Sequence, residues 1–541
     1  MSAFWPNLLK YHARRGVRHD MVHTLRFVAT IIVLLCSFSS VRHAHSAAAL
    51  ERGTAISDPL ALRELDHGSF GLGHVMAPAS TAEAALTNKE LFALPSMAGV
   101  HKALEAEFDK YILRHKAALP TETIGVGYFY DFQLFDRALL DSPDTRFVLA
   151  GIVNRMDRAY VHEASCGEVR LIYRLTRTDL SQSGDGVVSP RLPMTLNVIL
   201  KARGDRTSSG DALLTCAEIA RRWLEVGDLA LTGTALSEKL TAPEGPLSSI
   251  RPENITRMET NLQIAHAPKS SLRDFRTDYL MKVFDFNPHS QAFEEARLEN
   301  QIDRDRILAD ENLGREFKAW LLDPRHFAEL DRGTLVIPGK FLALNAIAPT
   351  PVGFASPNLR PVFGHVQRGD APAEPLFKEQ DVVAALKKAA ERGVALSNIR
   401  SMAGFERRLD DITCAGCHQT RGIGGFHFPG VDWMAAKPDN SRVVPASPHF
   451  FADQIRRRDI LASFRDGKRL DFSRGFADRP QPRGSAELAG TEYEDGWGAH
   501  CYVKRAMAAE NDKSFSAWTC AKGLACKPLG NEIRMGMCFV K

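Results

Sequence analysis

The 541-residue sequence predicts an α+β protein: a mixed sheet-and-helix body, then a small, mainly helical segment, then a disulfide-rich C-terminal module. Three observations carry that prediction. Strand-like runs cluster between residues 140 and 290. Helical periodicity dominates on either side of them. Four cysteines, Cys501, Cys520, Cys526 and Cys538, crowd the C-terminal end. Charged content of 25% and hydrophobic content of 44% are ordinary for a globular chain, and a net charge of +4 gives no sign of a nucleic-acid partner. The length allows three or four domains of roughly 150 residues.

The N-terminal stretch reads as a secretory signal over residues 1–46. Arg14, Arg15, Arg18 and Arg26 precede the apolar run Phe27–Phe38, and Ala44-His-Ser46 offers a small-residue cleavage point before Ala47. The run is too short to span a bilayer, so no transmembrane span is expected once the signal is removed. Arg14-Arg15 reads first as an ordinary basic region rather than a twin-arginine export signal. Cys36 is lost with the signal, and the mature chain is expected to be periplasmic or secreted in a bacterium.

The body is expected over residues 47–345. Thr81–Leu86 and His101–Leu113 carry apolar residues at helical spacing. Phe147–Val153 is a buried-strand run, Glu168–Leu175 alternates as a half-exposed strand, and Met194–Leu200 is a third. Ala217–Leu224 is a helix, and the segment from Asn261 to Phe284 has strand-like ends around Ser271–Arg276. Leu298–Asp303 and Gly314–Leu322 read as helices. An oxidising compartment makes Cys166–Cys216 the natural disulfide of this region.

Two polar clusters stand out in the body. Asn154-Arg155-Met156-Asp157 follows one strand and Cys166-Gly167-Glu168-Val169-Arg170 opens another. Arg155, Asp157, Glu168 and Arg170 could bind or position a ligand at the strand ends, but a salt-bridged turn beside a disulfide is the simpler reading. His162-Glu163 and His326 lack the HExxH spacing of a helix-borne metal pair, and there is no nucleophile elbow, phosphate loop or dinucleotide fingerprint.

Pro, Gly and small residues mark a linker over residues 346–378, and a further segment is expected over residues 379–480. Asp381–Arg392 is a helix, and Asn398–Asp411 leads by helix or turn into Cys414-Ala-Gly-Cys417-His418. The Cys-x-x-Cys-His pattern is that of covalent haem attachment, with two thiols for the porphyrin vinyl groups and an imidazole placed to ligate iron from the proximal side. Ser447 as N-cap and Pro448 in the first turn open a closing helix through Phe464.

These residues resemble the c-type cytochromes over about 80 positions, residues 380–467. The resemblance implies a single haem c on Cys414 and Cys417, His418 as proximal ligand, and a distal ligand from the loop before the closing helix. Met434 matches the place of the family's methionine; His449 is the second candidate, and His427 or an open position follow. Gly422, Gly424 and Gly425 would let the backbone pass close to a porphyrin. Arg421 and the Arg456–Arg458 run could pair with propionates or with an acidic redox partner, although an arginine run on a helix reads first as a solvated face. The closing helix comes earlier than in the small monohaem cytochromes, which implies an abbreviated segment leaning on the body. Val153–Asp157, Cys166–Tyr173 and Cys414–Gly430 together also look like a group of large exported bacterial proteins, a likeness that brings no activity with it.

The expected function is electron transfer through one covalent haem to a periplasmic partner, or peroxidase-like chemistry if the sixth iron position is open. The alternative is a binding or hydrolytic protein whose activity lies in residues 140–290, with Cys414 and Cys417 as a zinc or disulfide clamp. The C-terminal module, residues 481–541, is expected to hold two bridges among its four cysteines, with three connectivities open.

Overall fold

Alternation of apolar and polar residues in the body produces one antiparallel sheet. The structure is a computed structural model, described over residues 52–77, 86–124, 137–178, 191–203, 213–269, 276–349, 376–396, parts of 399–434, 448–474, 500–502, 524–528 and 535–540. The sheet contains β1 (Ala55–Ile56), β2 (Glu122–Ile124), β3 (Thr145–Arg155), β4 (Glu168–Arg177), β5 (Arg191–Lys201), β6 (Ile255–Pro268), β7 (Arg276–Asn287), β8 (Ala292–Ala296) and β9 (Ala346–Pro349). Their order is β1-β3-β4-β5-β6-β7-β8. β2 pairs with the far end of β6, and β9 shares the outer edge of β7 with β8.

One face of the sheet is apolar. Leu171, Leu196 and Leu262 point into it with no solvent exposure, and each such side chain contributes about 1.5–3 kcal/mol by burial. The helices that cover this face include α1 (Pro59–His67), α2 (Ala98–Ala118), α3 (Cys216–Gly227) and α4 (Gly233–Thr241). α1 starts where the Asp58 carboxylate accepts from the Ala61 amide at 2.8 Å and Pro59 fills the first turn. α3 starts where Thr215 caps the Glu218 amide at 3.1 Å. Its first residue, Cys216, is bonded to Cys166 across 50 positions with 5.4 Å between Cα atoms, as expected from the sequence.

A second, helical core joins α5 (Glu311–Leu321), α6 (Pro324–Arg332) and α7 (Glu379–Glu391) with Phe405 and Leu409. It draws on residues from both sides of the expected linker, so residues 302–342 and 376–412 are packed as one. The buried Arg408 guanidinium ties the lead-in to the Cys pair onto the end of α6, donating to the Leu330 carbonyl at 2.9 Å and the Asp331 carbonyl at 2.8 Å. Helix carbonyls at a C-terminus lack intrahelical partners, and a cation satisfies them. The closing helix α8 (Pro448–Arg465) forms as predicted and packs against α3.

Three expectations are corrected. The run Glu168–Leu175 is not half exposed: every residue from Glu168 to Thr176 is buried, because the second face of the sheet is covered as well. Leu298–Asp303 is a turn rather than a helix. Asn300 takes φ 58°, and its side chain bonds the Leu335 carbonyl at 2.9 Å and the Ile337 amide at 2.8 Å; these bonds to distant backbone replace a helical ladder. Residues 346–349, assigned to the linker, instead form β9 against β7.

Cys501, Cys526 and Cys538 fall on a small antiparallel sheet of β10 (His500–Tyr502), β11 (Leu524–Pro528) and β12 (Met535–Val540), ordered β10-β12-β11, and Cys520 lies outside the described residues. Its register sets Cys526 opposite Cys538 and Cys501 opposite Gly536. The signal segment, residues 1–46, and most of Thr81–Leu86 lie outside the described residues. No helix among the described residues is long and apolar enough to cross a membrane.

Candidate functional site

The second face of the sheet carries the polar residues singled out from the sequence. Strand alternation places Arg155, Glu168, Arg170 and Glu259 on it. β3, β4, β5 and β6 bring them together: Arg155 faces Glu168, Glu168 faces Lys201, and Asn197 faces Glu259. The result is a buried ion-pair network. Arg170 bridges Glu168 at 2.6 Å and Glu259 at 3.1 Å. Arg158 pairs with Glu168 at 2.9 Å and, at its other end, with Glu299. Asp157 accepts from Arg155 at 2.9 Å, from Arg456 of α8 at 2.8 Å, and from Arg474.

Burial alone would raise the pKa of these carboxyls, and the neighbouring guanidiniums overturn that effect. Arg170 and Arg158 hold Glu168 down to about 2. Arg155 and Arg474 hold Asp157 well below the usual carboxylate range, and Arg158 lowers Glu299. The turn beside the disulfide is shaped to let these groups meet. Gly167 takes φ 88°, and a Cβ there would lie 2.7 Å from the Arg155 carbonyl oxygen and from Met156 Cα. Only glycine fits so close an approach without strain.

A cavity of about 450 Å³ opens on this face, with Arg158, Glu168, Arg170, Lys201, Glu259 and Glu299 among its lining. That volume is within the range of small-molecule pockets. Glu299 also connects the cavity to the Cys-x-x-Cys-His motif. The Cys414 thiol approaches the Glu299 carbonyl at 3.6 Å, and the Ala415 amide donates to Gln301 Oε1 at 2.9 Å. Cys414 and Ala415 pack with Met281, Val283, Leu298, Ala346 and Ala348, a small apolar patch on this side of the sheet. The turn at residues 298–301, unrecognised in the sequence, therefore seats the first cysteine.

The four predicted polar residues are brought to one face of the sheet in two neighbouring ion-pair clusters, and Cys414 lies beside Glu299 of the second. Cys417, His418, Arg421, Gly422, Gly424, Gly425 and His427 lie outside the described residues, as does the side chain of His449 at the start of α8. Met434 packs against the helix-covered core, next to Trp433, whose indole donates to the Leu149 carbonyl at 2.8 Å. The arginine run is also not a solvated face: Arg456 pairs with Asp157, Arg457 is buried, and only Arg458 is exposed. His162 lines the cavity, while His326 Nδ1 bonds the Trp320 carbonyl.

Sequence reasoning missed Arg158, Glu259, Glu299, Arg456 and Arg474 as members of the network. Arg158 directly follows Asp157, and a charged residue at the inward position of a strand run, as at Glu259, was the available signal. Comparison with protein families, curated proteins and solved structures finds no match.

Proposed function

We propose that this chain is an exported c-type haem protein that carries electrons through a single haem held covalently by Cys414 and Cys417. In this reading His418 is the proximal iron ligand and the segment leans on the body. The observation that carries it is the Cys414-x-x-Cys417-His418 motif, with the Cys414 thiol held at the Glu299 carbonyl of the body. When bound, the haem would supply a one-electron iron couple whose potential depends on its axial ligands and burial. The body's part is to fix the attachment segment. Arg408, Ala415, Val431 and Trp433 all bond to residues of the body, the Val431 amide donating to the Ala150 carbonyl at 3.0 Å. Met434, which packs against the helix-covered core, and His449 are the candidates for sixth ligand; an open position would turn the activity towards peroxide reduction.

A second reading is favoured by the cavity, which is lined wholly by residues 158–299 of the body. There the body binds a small charged ligand, and the Cys pair is a zinc or disulfide clamp. Absorption spectra of protein made with the cytochrome c maturation machinery separate the two. The first reading expects sharp reduced-haem bands, with the distal-ligand signature lost in Met434→Ala or in His449→Ala according to which residue ligates iron. A colourless product with both thiols zinc-bound or oxidised contradicts it.

A further inference from the structure

About 24 Å along β6 from Glu259 of the cavity (seven residues at strand rise) lies a second buried polar cluster. It forms where the last turn of α2 and the short β2 meet the hairpin ends of β6 and β7. α2 supplies Tyr111 and His115, β2 supplies Glu122, β6 supplies His266 and β7 supplies Asp278. We propose that His115, His266 and Asp278, with Glu122 beside them, form a site for one divalent transition-metal ion such as zinc.

Three observations carry the proposal. Donor atoms of His115, His266 and Asp278 all lie within 4.8 Å of one another. The side chains of His115, His266 and Glu122 are 5%, 3% and 5% exposed, and that of Asp278 is 13% exposed. Nε2 of His115 and Nε2 of His266 are both buried, and no hydrogen bond reaches either among the described residues. His266 Nε2 stands 3.4 Å from Asp278 Oδ1, and His115 Nε2 stands 3.2 Å from Glu122 Oε2. Both lie at ion-pair distance without the direction of a hydrogen bond. Buried ring nitrogens are rarely left so, and an ion between them and the carboxylates would satisfy both.

The surrounding contacts suit that assignment. His266 Nδ1 meets Glu122 Oε2 at 2.5 Å, which fixes the ring and turns Nε2 towards Asp278. The Tyr111 hydroxyl donates to Asp278 Oδ2 at 2.8 Å, leaving Oδ1 for a cation. Carboxylate-to-histidine and hydroxyl-to-carboxylate bonds of this kind orient metal ligands. Two imidazoles with carboxylate oxygens select zinc or a neighbouring first-row ion over calcium or magnesium, which prefer oxygen alone. The ion would tie α2 to β6 and β7 of the sheet, a structural role independent of the haem reading.

The test is a metal count on the full-length protein after chelation and re-titration with Zn²⁺, with haem iron counted separately. The expected result is one tightly bound zinc per chain. Affinity falls at least ~100-fold in Asp278→Asn and in His115→Ala. It is unchanged in His101→Ala, which alters the more exposed trio His101, Glu105 and Asp141. X-ray absorption at the zinc edge of the wild-type protein reads the donors without any variant: nitrogen and oxygen only are expected. No zinc bound, affinity unchanged in the folded Asp278→Asn protein, or sulfur donors from the Cys pair would each overturn the proposal.

Discussion

The two faces of the large sheet are buried by different means. The helix-covered face excludes water with Leu, Ile, Phe and Trp side chains, and each strand contributes through simple alternation. The opposite face is also buried around Glu168, Arg170, Asn197 and Glu259, beside a cavity, but there the burial is of charge neutralised in place. Its cover comes from later in the chain: the turn at 298–301, the Cys414 segment, and Arg456 and Arg474. An apolar face tolerates imperfect neighbours at the cost of a cavity. A buried ionic face fails when one partner is removed, because the remaining charges have lost their solvent. The polar face therefore couples the body to the C-terminal half of the chain more strictly than the apolar face does.

The sharpest way to break this comparison is Asp157→Asn, which strips the carboxylate from Arg155, Arg456 and Arg474. A loss of about 3–5 kcal/mol in urea unfolding is expected, matching or exceeding Leu171→Ala on the apolar face at about 2–5 kcal/mol. A loss under about 1 kcal/mol would mean a solvated pair, and the two faces would no longer differ in kind. Next in size is Cys216→Ser, which opens the Cys166–Cys216 loop at the boundary of both faces; about 2–4 kcal/mol is expected by the same measurement.

Acid should separate the faces more gently. Glu168 is held down to about 2 from an ordinary value of 4.5, so its stabilisation is complete above pH ~4.5 and is lost as pH falls towards 2. Asp157 and Glu299, also depressed, act in the same direction. Unfolding midpoints should fall over that interval in the wild-type protein and less steeply in Glu168→Gln. The smallest effect concerns the C-terminal module: with Cys526 opposite Cys538 in the strand register, peptide mapping is expected to find that bridge, leaving Cys501 with Cys520. A Cys501–Cys538 bridge would contradict it.

Much of the apolar face was legible because strand and helix periods are local. Phe147–Val153, Met194–Leu200 and Ala217–Leu224 needed only their own residues to be read, and Cys166–Cys216 followed from compartment and number. The members of the polar cluster were legible one by one, at Arg155, Asp157, Glu168 and Arg170. Their burial was not, since their partners lie far along the chain at Glu259, Glu299, Arg456 and Arg474, and no local pattern announces a pairing over such separations. Leu298–Asp303 was misread for the same reason. Its apolar spacing suits a helix, but the Asn300 amide is satisfied by Leu335 and Ile337, which only the tertiary fold supplies. β9 escaped notice because its Ala-Ile-Ala-Pro sequence is too short to carry a period, and its pairing with β7 is again long range.

Whether the Cys414 segment holds haem on this framework is decided most directly by the intact mass of the mature chain. The protein is made with the maturation machinery and washed in acid acetone, which removes non-covalent haem. A mass increase of one haem per chain, absent when both Cys414→Ser and Cys417→Ser are introduced, is the expected result. An unmodified chain mass from a folded, disulfide-intact protein would contradict it.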